Sequence, residues 1–202
     1  MTGRSGNFRY LLPALNILVK IVNIALILLA VVEPDLPQFE GKAMGARLIL
    51  YPLAALAVPI IWLIAGRRSP YPHLVDILVV LPFLNDTAGN ALNLYNTTES
   101  FDRFAHWFSW ALLTTAFGSA VSVTRITRIN VFTLTVGFGV TTTVLWEIAE
   151  FVLMRMGNSG LQLTYSDTMD DLILSTLGSF VGSLLVVTVF WRGRLMPGRQ
   201  HA

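Results

Sequence analysis

Four groups of side chains able to hold a cation or move a proton recur at helical spacing along this 202-residue chain. They are Asp86 with Asn90, Asp102 with His106, Glu147 with Glu150, and Asp167 with Asp170 and Asp171. Residues three or four apart share a helix face, so each group presents its donors to one side. Carboxylate and amide oxygens with a single imidazole suit a hard divalent ion such as Mg²⁺, Mn²⁺ or Ca²⁺. Zn²⁺ fits His106 with carboxylates, although the cysteine it commonly takes is absent from the chain. The expected metal ligands are His106, Glu147, Glu150, Asp167, Asp170 and Asp171, with Asp86 and Asn90 placed to hold a bound group. His106, oriented by Asp102, also suits general acid–base work. Carboxylates brought this close repel one another unless they are protonated or neutralised by a cation.

Structural duties compete with this chemistry. Asp102 and Asp167 stand at helix starts, in S-F-D and S-D-T-M-D. There, side-chain oxygens cap free N–H groups and negative charge suits the helix dipole. Glu147 and Glu150 fall near a helix end, where the dipole disfavours anions, so capping does not account for them. A carboxylate at mid-bilayer costs about 2.5–3.5 kcal/mol on insertion scales, which marks that pair as functional.

The elements that position these groups are apolar. Hydrophobic residues make up 54% of the chain and charged residues 13%, with a mean hydropathy of +0.63. Soluble domains carry about 25% charged residues. No long polar stretch interrupts the chain, so residues 1–202 are expected to form a single polytopic membrane domain, all-α. A crossing helix needs about 20 apolar residues. Six segments qualify: Tyr10–Val32, Ala46–Ala65, His73–Tyr95, Phe101–Val121, Asn130–Met154 and Asp167–Phe190. The first is long, contains Lys20 and lacks a small-x-small cleavage site, so it is expected to stay as a helix rather than leave as a signal peptide.

Basic residues orient the chain. Arg4, Arg9, Arg67, Arg68, Arg125, Arg128, Arg192, Arg194 and Arg199 fall in the N-terminus, alternate loops and the tail, which places both termini in the cytoplasm. All acidic residues except Asp76 then lie toward the outer face. Four helices deliver polar groups to one depth there. Absence of cysteine removes disulfides and thiolate chemistry. No phosphate-binding loop, dinucleotide fingerprint or basic face for nucleic acid is present.

The runs D-T-A-G-N-A-L-N-L-Y (Asp86–Tyr95), F-D-R-F-A-H (Phe101–His106), W-E-I-A-E (Trp146–Glu150) and D-T-M-D-D (Asp167–Asp171) with Gly178 resemble the YjdF-like membrane proteins. That group is similar to the wider VanZ-like set, in which D-x-x-x-H opens one helix and D-x-x-x-N/T…G opens the last. The likeness begins at the third segment. The VanZ-like set is associated with resistance to a lipoglycopeptide antibiotic. The resemblance therefore implies the outer face of a bacterial inner membrane and its envelope lipids, and it assigns no residue a role.

Three functional readings follow. The first is an outward-facing, acidic, metal-binding pocket that acts on a lipid-linked or envelope substrate. The second is a protein that binds or transports a cation or cationic ligand. The third is an accessory subunit, docked on a larger membrane partner through small-residue helix faces. Those faces are Gly178-x-x-x-Gly182 with Ser175, Ser179 and Ser183, and Gly137 with Gly139. Pro82 is expected to kink the third helix, and Lys20 to pair with Asp76.

Overall fold

The computed structural model describes residues 5–67, 70–122, 126–161 and 163–191. Arg4, Arg68, Arg125, Arg192, Arg194 and Arg199, which carry most of the orienting charge, lie outside the described residues. The elements are α1 (Ser5–Val32), α2 (Met44–Ile64), α3 (His73–Ala91), the single turn α4 (Leu94–Thr97), α5 (Phe101–Val121), α6 (Arg128–Arg155) and α7 (Tyr165–Leu185). A π-helical stretch, Val186–Phe190, extends α7. No strand occurs among the described residues.

Five of these helices are long and apolar enough to cross a membrane. The expected sixth crossing, α5, has the length at 21 residues but is diluted by Asp102, Arg103, His106 and several hydroxyl and indole groups. Its position explains the dilution. α3, α6 and α7 all pack on α5, so protein rather than lipid covers much of its surface. Elsewhere the usual pattern is inverted. Leu53, Ile61 and Ile64 of α2, Leu145 and Ile148 of α6, and Leu177 and Leu184 of α7 are more than half exposed. Asn23, Thr114, Thr135, Ser175, Ser179 and Ser183 are buried instead. Apolar outside and polar inside is the arrangement that hydrocarbon solvent selects. This is a multi-pass membrane protein.

The helices form two groups of three. α1, α2 and α3 pack mutually, as do α5, α6 and α7, and α3 against α5 joins the groups. α1 runs parallel to α3, since Asn16 and Lys20 meet Asp76 while Asn23 meets Thr87 farther along both helices. α3 ends at Ala91 rather than at Tyr95, because Asn93 takes a left-handed φ of 61° and the chain restarts as α4. Neither Asp102 nor Asp167 caps its helix. Thr164 caps α7 by accepting from the Asp167 N–H, and the Ser100 N-cap of α5 makes no side-chain cap bond. Both acids are thereby left for other duty.

Small residues set the approach of α7. A Cβ added at Gly178 would sit 2.2 Å from the Trp107 carbonyl oxygen, and one at Gly182 would sit 2.5 Å from that of Ala111. Both glycines therefore face α5. Gly139 of α6 meets α7, where a Cβ would fall 2.2 Å from Ser179 Oγ, while Gly137 has nothing within 4 Å. Buried hydroxyls on this seam bond back to their own helix, as Ser179 does to the Ser175 carbonyl and Ser183 to that of Ser179. The stripe Ser175–Ser183 is used inside the chain.

Gly178→Ala is expected to destabilise the protein by about 1–3 kcal/mol through overpacking. Gly137→Ala should be neutral or should stabilise by up to about 1 kcal/mol, from helix propensity alone. Thermal unfolding in detergent distinguishes them; equal midpoints would mean that α7 does not pack tightly on α5.

Candidate functional site

A cavity of about 310 Å³ lies between the two helix groups, at the end where α2, α5 and α7 begin and α3 and α6 finish. Its floor follows the α3–α5 seam, with Pro82, Phe83, Trp110 and Leu113 in its lining. α2 supplies Arg47 and Tyr51, α6 supplies Trp146 and Glu150, and α7 supplies Asp167 and Asp171. Pro82, inside α3, is thus at the cavity, where the expected kink would matter.

One wall is an ion pair held by aromatic hydroxyls. Arg47 Nε and Nη2 donate to the two oxygens of Asp86 at 2.7 and 3.2 Å. Tyr51 Oη donates to Asp86 at 2.6 Å and Tyr95 Oη at 3.0 Å. Asn90 adds its side-chain amide at 3.3 Å, and Arg47 Nη1 donates to the Lys42 carbonyl. Five donors occupy one carboxylate, so Asp86 is satisfied by protein groups alone. Burial, then the charges of Asp86 and Asp102, push the Tyr95 phenol well above its ordinary range, which keeps it a neutral donor. Lys42 stands at the rim. Burial, and then the Arg47 charge, hold its ammonium below the usual lysine range.

The opposite wall is acidic and centres on His106. Its Nε2 lies 3.8 Å from Asp102 and 3.7 Å from Asp171; its Nδ1 lies 3.2 Å from Ser175 Oγ and 3.8 Å from Glu147. Two sets of donor atoms, each within 4.8 Å of one another, share this imidazole: Asp102, His106 and Asp171, and His106, Glu147 and Glu150. Glu147 is 7% exposed, and neither carboxylate oxygen has a hydrogen-bond partner among the described residues. A buried carboxylate without donor or counter-charge is costly by several kcal/mol, so the arrangement suits a cation beside it.

The groups found at helical spacing therefore separate. Asp102, His106, Glu150, Asp167 and Asp171 line the cavity, and Glu147 faces His106 from behind. Asp86 and Asn90 line it too, with Asp86 already occupied. Asp170 does not line it. Arg103 binds Asp170 through Nη2 at 2.9 Å and Nε at 3.2 Å, with both side chains substantially exposed. Helical spacing of acids does not mark Arg47, Tyr51, Tyr95 or Lys42 as site residues, and Ser175 stands in the sequence only as part of a packing stripe. Arg47 and Tyr51 are spaced i, i+4 in an apolar helix, and an arginine there requires a partner. That signal was legible.

A second polar cluster lies at the far end. Lys20 Nζ bonds Asp76 at 2.6 Å, the expected ion pair, with further donors from Asn16 and Tyr71. Apolar Val19, Ala55 and Val80, with Leu81 and Leu84 around them, pack between that cluster and the cavity.

The chain belongs to the family described as "Predicted membrane protein (DUF2238)", whose model matches residues 15–192. No curated protein matches it. No solved structure does either.

Asp86→Ala strands Arg47 in a buried site and is expected to destabilise the protein by about 3–5 kcal/mol. Arg103→Ala removes only an exposed pair, worth at most about 1 kcal/mol. Unfolding midpoints in detergent check both, and an unperturbed Asp86→Ala protein would show that the pair is not the clamp between α2 and α3.

Proposed function

We propose that this chain binds a divalent metal ion through Asp102, His106 Nε2 and Asp171, at the outer face of a bacterial inner membrane, and acts there on a lipid-linked envelope substrate. The observation that carries this reading is the imidazole itself. Asp102 and Asp171 lie 3.8 and 3.7 Å from His106 Nε2, their donor atoms close enough to share an ion, while buried Glu147 faces Nδ1 without a hydrogen bond among the described residues. Ser175 and Glu147 lie on the Nδ1 side and favour a proton on that nitrogen, which turns the Nε2 lone pair toward Asp102 and Asp171. Asp102 and His106 thus serve as ligands rather than as a proton relay. Glu150 and Asp167, both in the cavity lining, remain to complete the shell or to accept a proton. One imidazole among carboxylates fits Mn²⁺ or Zn²⁺ better than Ca²⁺, which prefers oxygen alone. Such an ion polarises a phosphoryl or carbonyl oxygen, or lowers the pKa of a bound water.

The setting is supported by the arginine bias of the alternate loops and by the resemblance of these motifs to the YjdF-like and VanZ-like proteins. Transport is the weaker alternative: buried apolar Val19, Ala55 and Val80 pack together among α1, α2 and α3 beside the Lys20–Asp76 pair. Docking as a subunit draws less support from the serine–glycine stripe, since Gly178 and Gly182 already meet α5, and of the other small residues Gly137 has open space beside it.

Purified protein is expected to carry about one equivalent of metal by elemental analysis. Asp171→Asn should abolish it, Glu147→Gln should weaken affinity roughly 10–100-fold as an outer-shell change, and Asp170→Asn should leave it unchanged. Acidification should release the ion, because protons compete for the carboxylates and the imidazole. Metal-free wild type, or full retention in Asp171→Asn, sinks the reading.

A further inference from the structure

α2 and α6 keep apart across the cavity: among the described residues no Cα of one lies within 8 Å of a Cα of the other. The gap holds a narrow groove of about 30 Å³ lined by Ala46, Leu50, Ala149 and Leu153, and it shares Arg47, Tyr51, Trp146 and Glu150 with the cavity. Leu50 is 50% exposed, and both helices carry exposed apolar residues along their length, so the groove opens sideways into hydrocarbon. A ligand entering there must be apolar at one end. The other end meets two donors. Lys42, at the cavity rim, has no carboxylate within 4.0 Å among the described residues, its ammonium lying 5.9 Å from the Tyr95 ring centroid. Trp110, one helical turn below His106, has its indole N–H buried without an acceptor among the described residues.

From this geometry, and resting on the metal reading above, we propose that the ligand is a phosphate-bearing amphiphile that enters between α2 and α6. With an ion held by Asp102, His106 and Asp171, its phosphate would be drawn to that ion and to Lys42, and its hydrocarbon to Leu50, Ala149 and Leu153. The acids repel a bare phosphate, so the phosphate would need a metal ion between it and Asp102 and Asp171. The cavity is at the small end for ligand sites, enough for a head group while the chain stays in the groove.

The test uses metal-loaded protein in detergent, titrated calorimetrically with dihexanoyl phosphatidate, dihexanoylglycerol and inorganic phosphate. Phosphatidate is expected to bind at least about tenfold more tightly than either comparison. Lys42→Gln should weaken phosphatidate about tenfold with metal content unchanged. Ala149→Trp, which fills the groove, should weaken phosphatidate and leave inorganic phosphate alone. Equal binding of phosphatidate and dihexanoylglycerol, or full phosphatidate affinity in Lys42→Gln, overturns the phosphate assignment. Inorganic phosphate binding as tightly as phosphatidate overturns the amphiphile and leaves free phosphate as the ligand. A protein that holds no metal overturns the metal reading itself; elemental analysis shows this before any titration, so the two failures are told apart.

Discussion

A carboxylate enclosed in a low-dielectric bundle needs a cation or a full set of donors, and the supply of partners sorts the acids of this chain. Asp76 has Lys20, Asn16 and Tyr71; Asp86 has Arg47, two tyrosines and Asn90; Asp170 has Arg103 near solvent. Asp102, Glu147, Glu150 and Asp171 gather around one imidazole instead, with Asp167 in the same cavity lining. The first set holds helices together. The second is left with charge to spare, and that imbalance is the physical basis for expecting a cation.

The same division explains the architecture. Arg47 and Asp86 tie α2 to α3, and Asn23 with Thr87 ties α1 to α3, so the first group of helices is fastened by polar contacts. The second group is fastened mainly by shape: Gly139 of α6 and Gly178 and Gly182 of α7 admit neighbouring atoms where a Cβ would collide, with Arg103–Asp170 and His106–Ser175 adding polar ties between α5 and α7. Between a clamped group and a close-packed one, the α3–α5 seam forms a floor with no helix bridging α2 to α6 above it. The cavity is a consequence of two bundles meeting along one edge. Its walls differ because Asp86 is neutralised by Arg47, whereas Asp102, Glu150, Asp167 and Asp171 have no such pairing among the described residues.

Much of the fold was readable from hydropathy and length, since an apolar segment of about 20 residues has few alternatives. The ion pair Lys20–Asp76 was also readable, because a lysine deep in an apolar helix must find a counter-charge. Capping misled at Asp102 and Asp167. Their sequence contexts resemble helix starts, but Thr164 caps α7 and Asp102 lies two residues past the Ser100 N-cap. The partner of the Gly178 stripe was equally hidden, because small residues declare that a helix packs closely without saying against which neighbour.

Helical spacing by itself determined which side chains share a face: Asp102 with His106, Glu147 with Glu150, and Asp167 with Asp171. Composition by itself determined that those faces would be buried in a bundle standing in lipid. Only the tertiary structure decided how the faces turn toward one another. It gave Asp170 to Arg103, saturated Asp86 with Arg47, Tyr51 and Tyr95, and left Glu147 unpartnered behind His106. The reason is that periodicity is a property of one helix, whereas the rotation of each helix about its axis is set by contacts with residues far away in the chain.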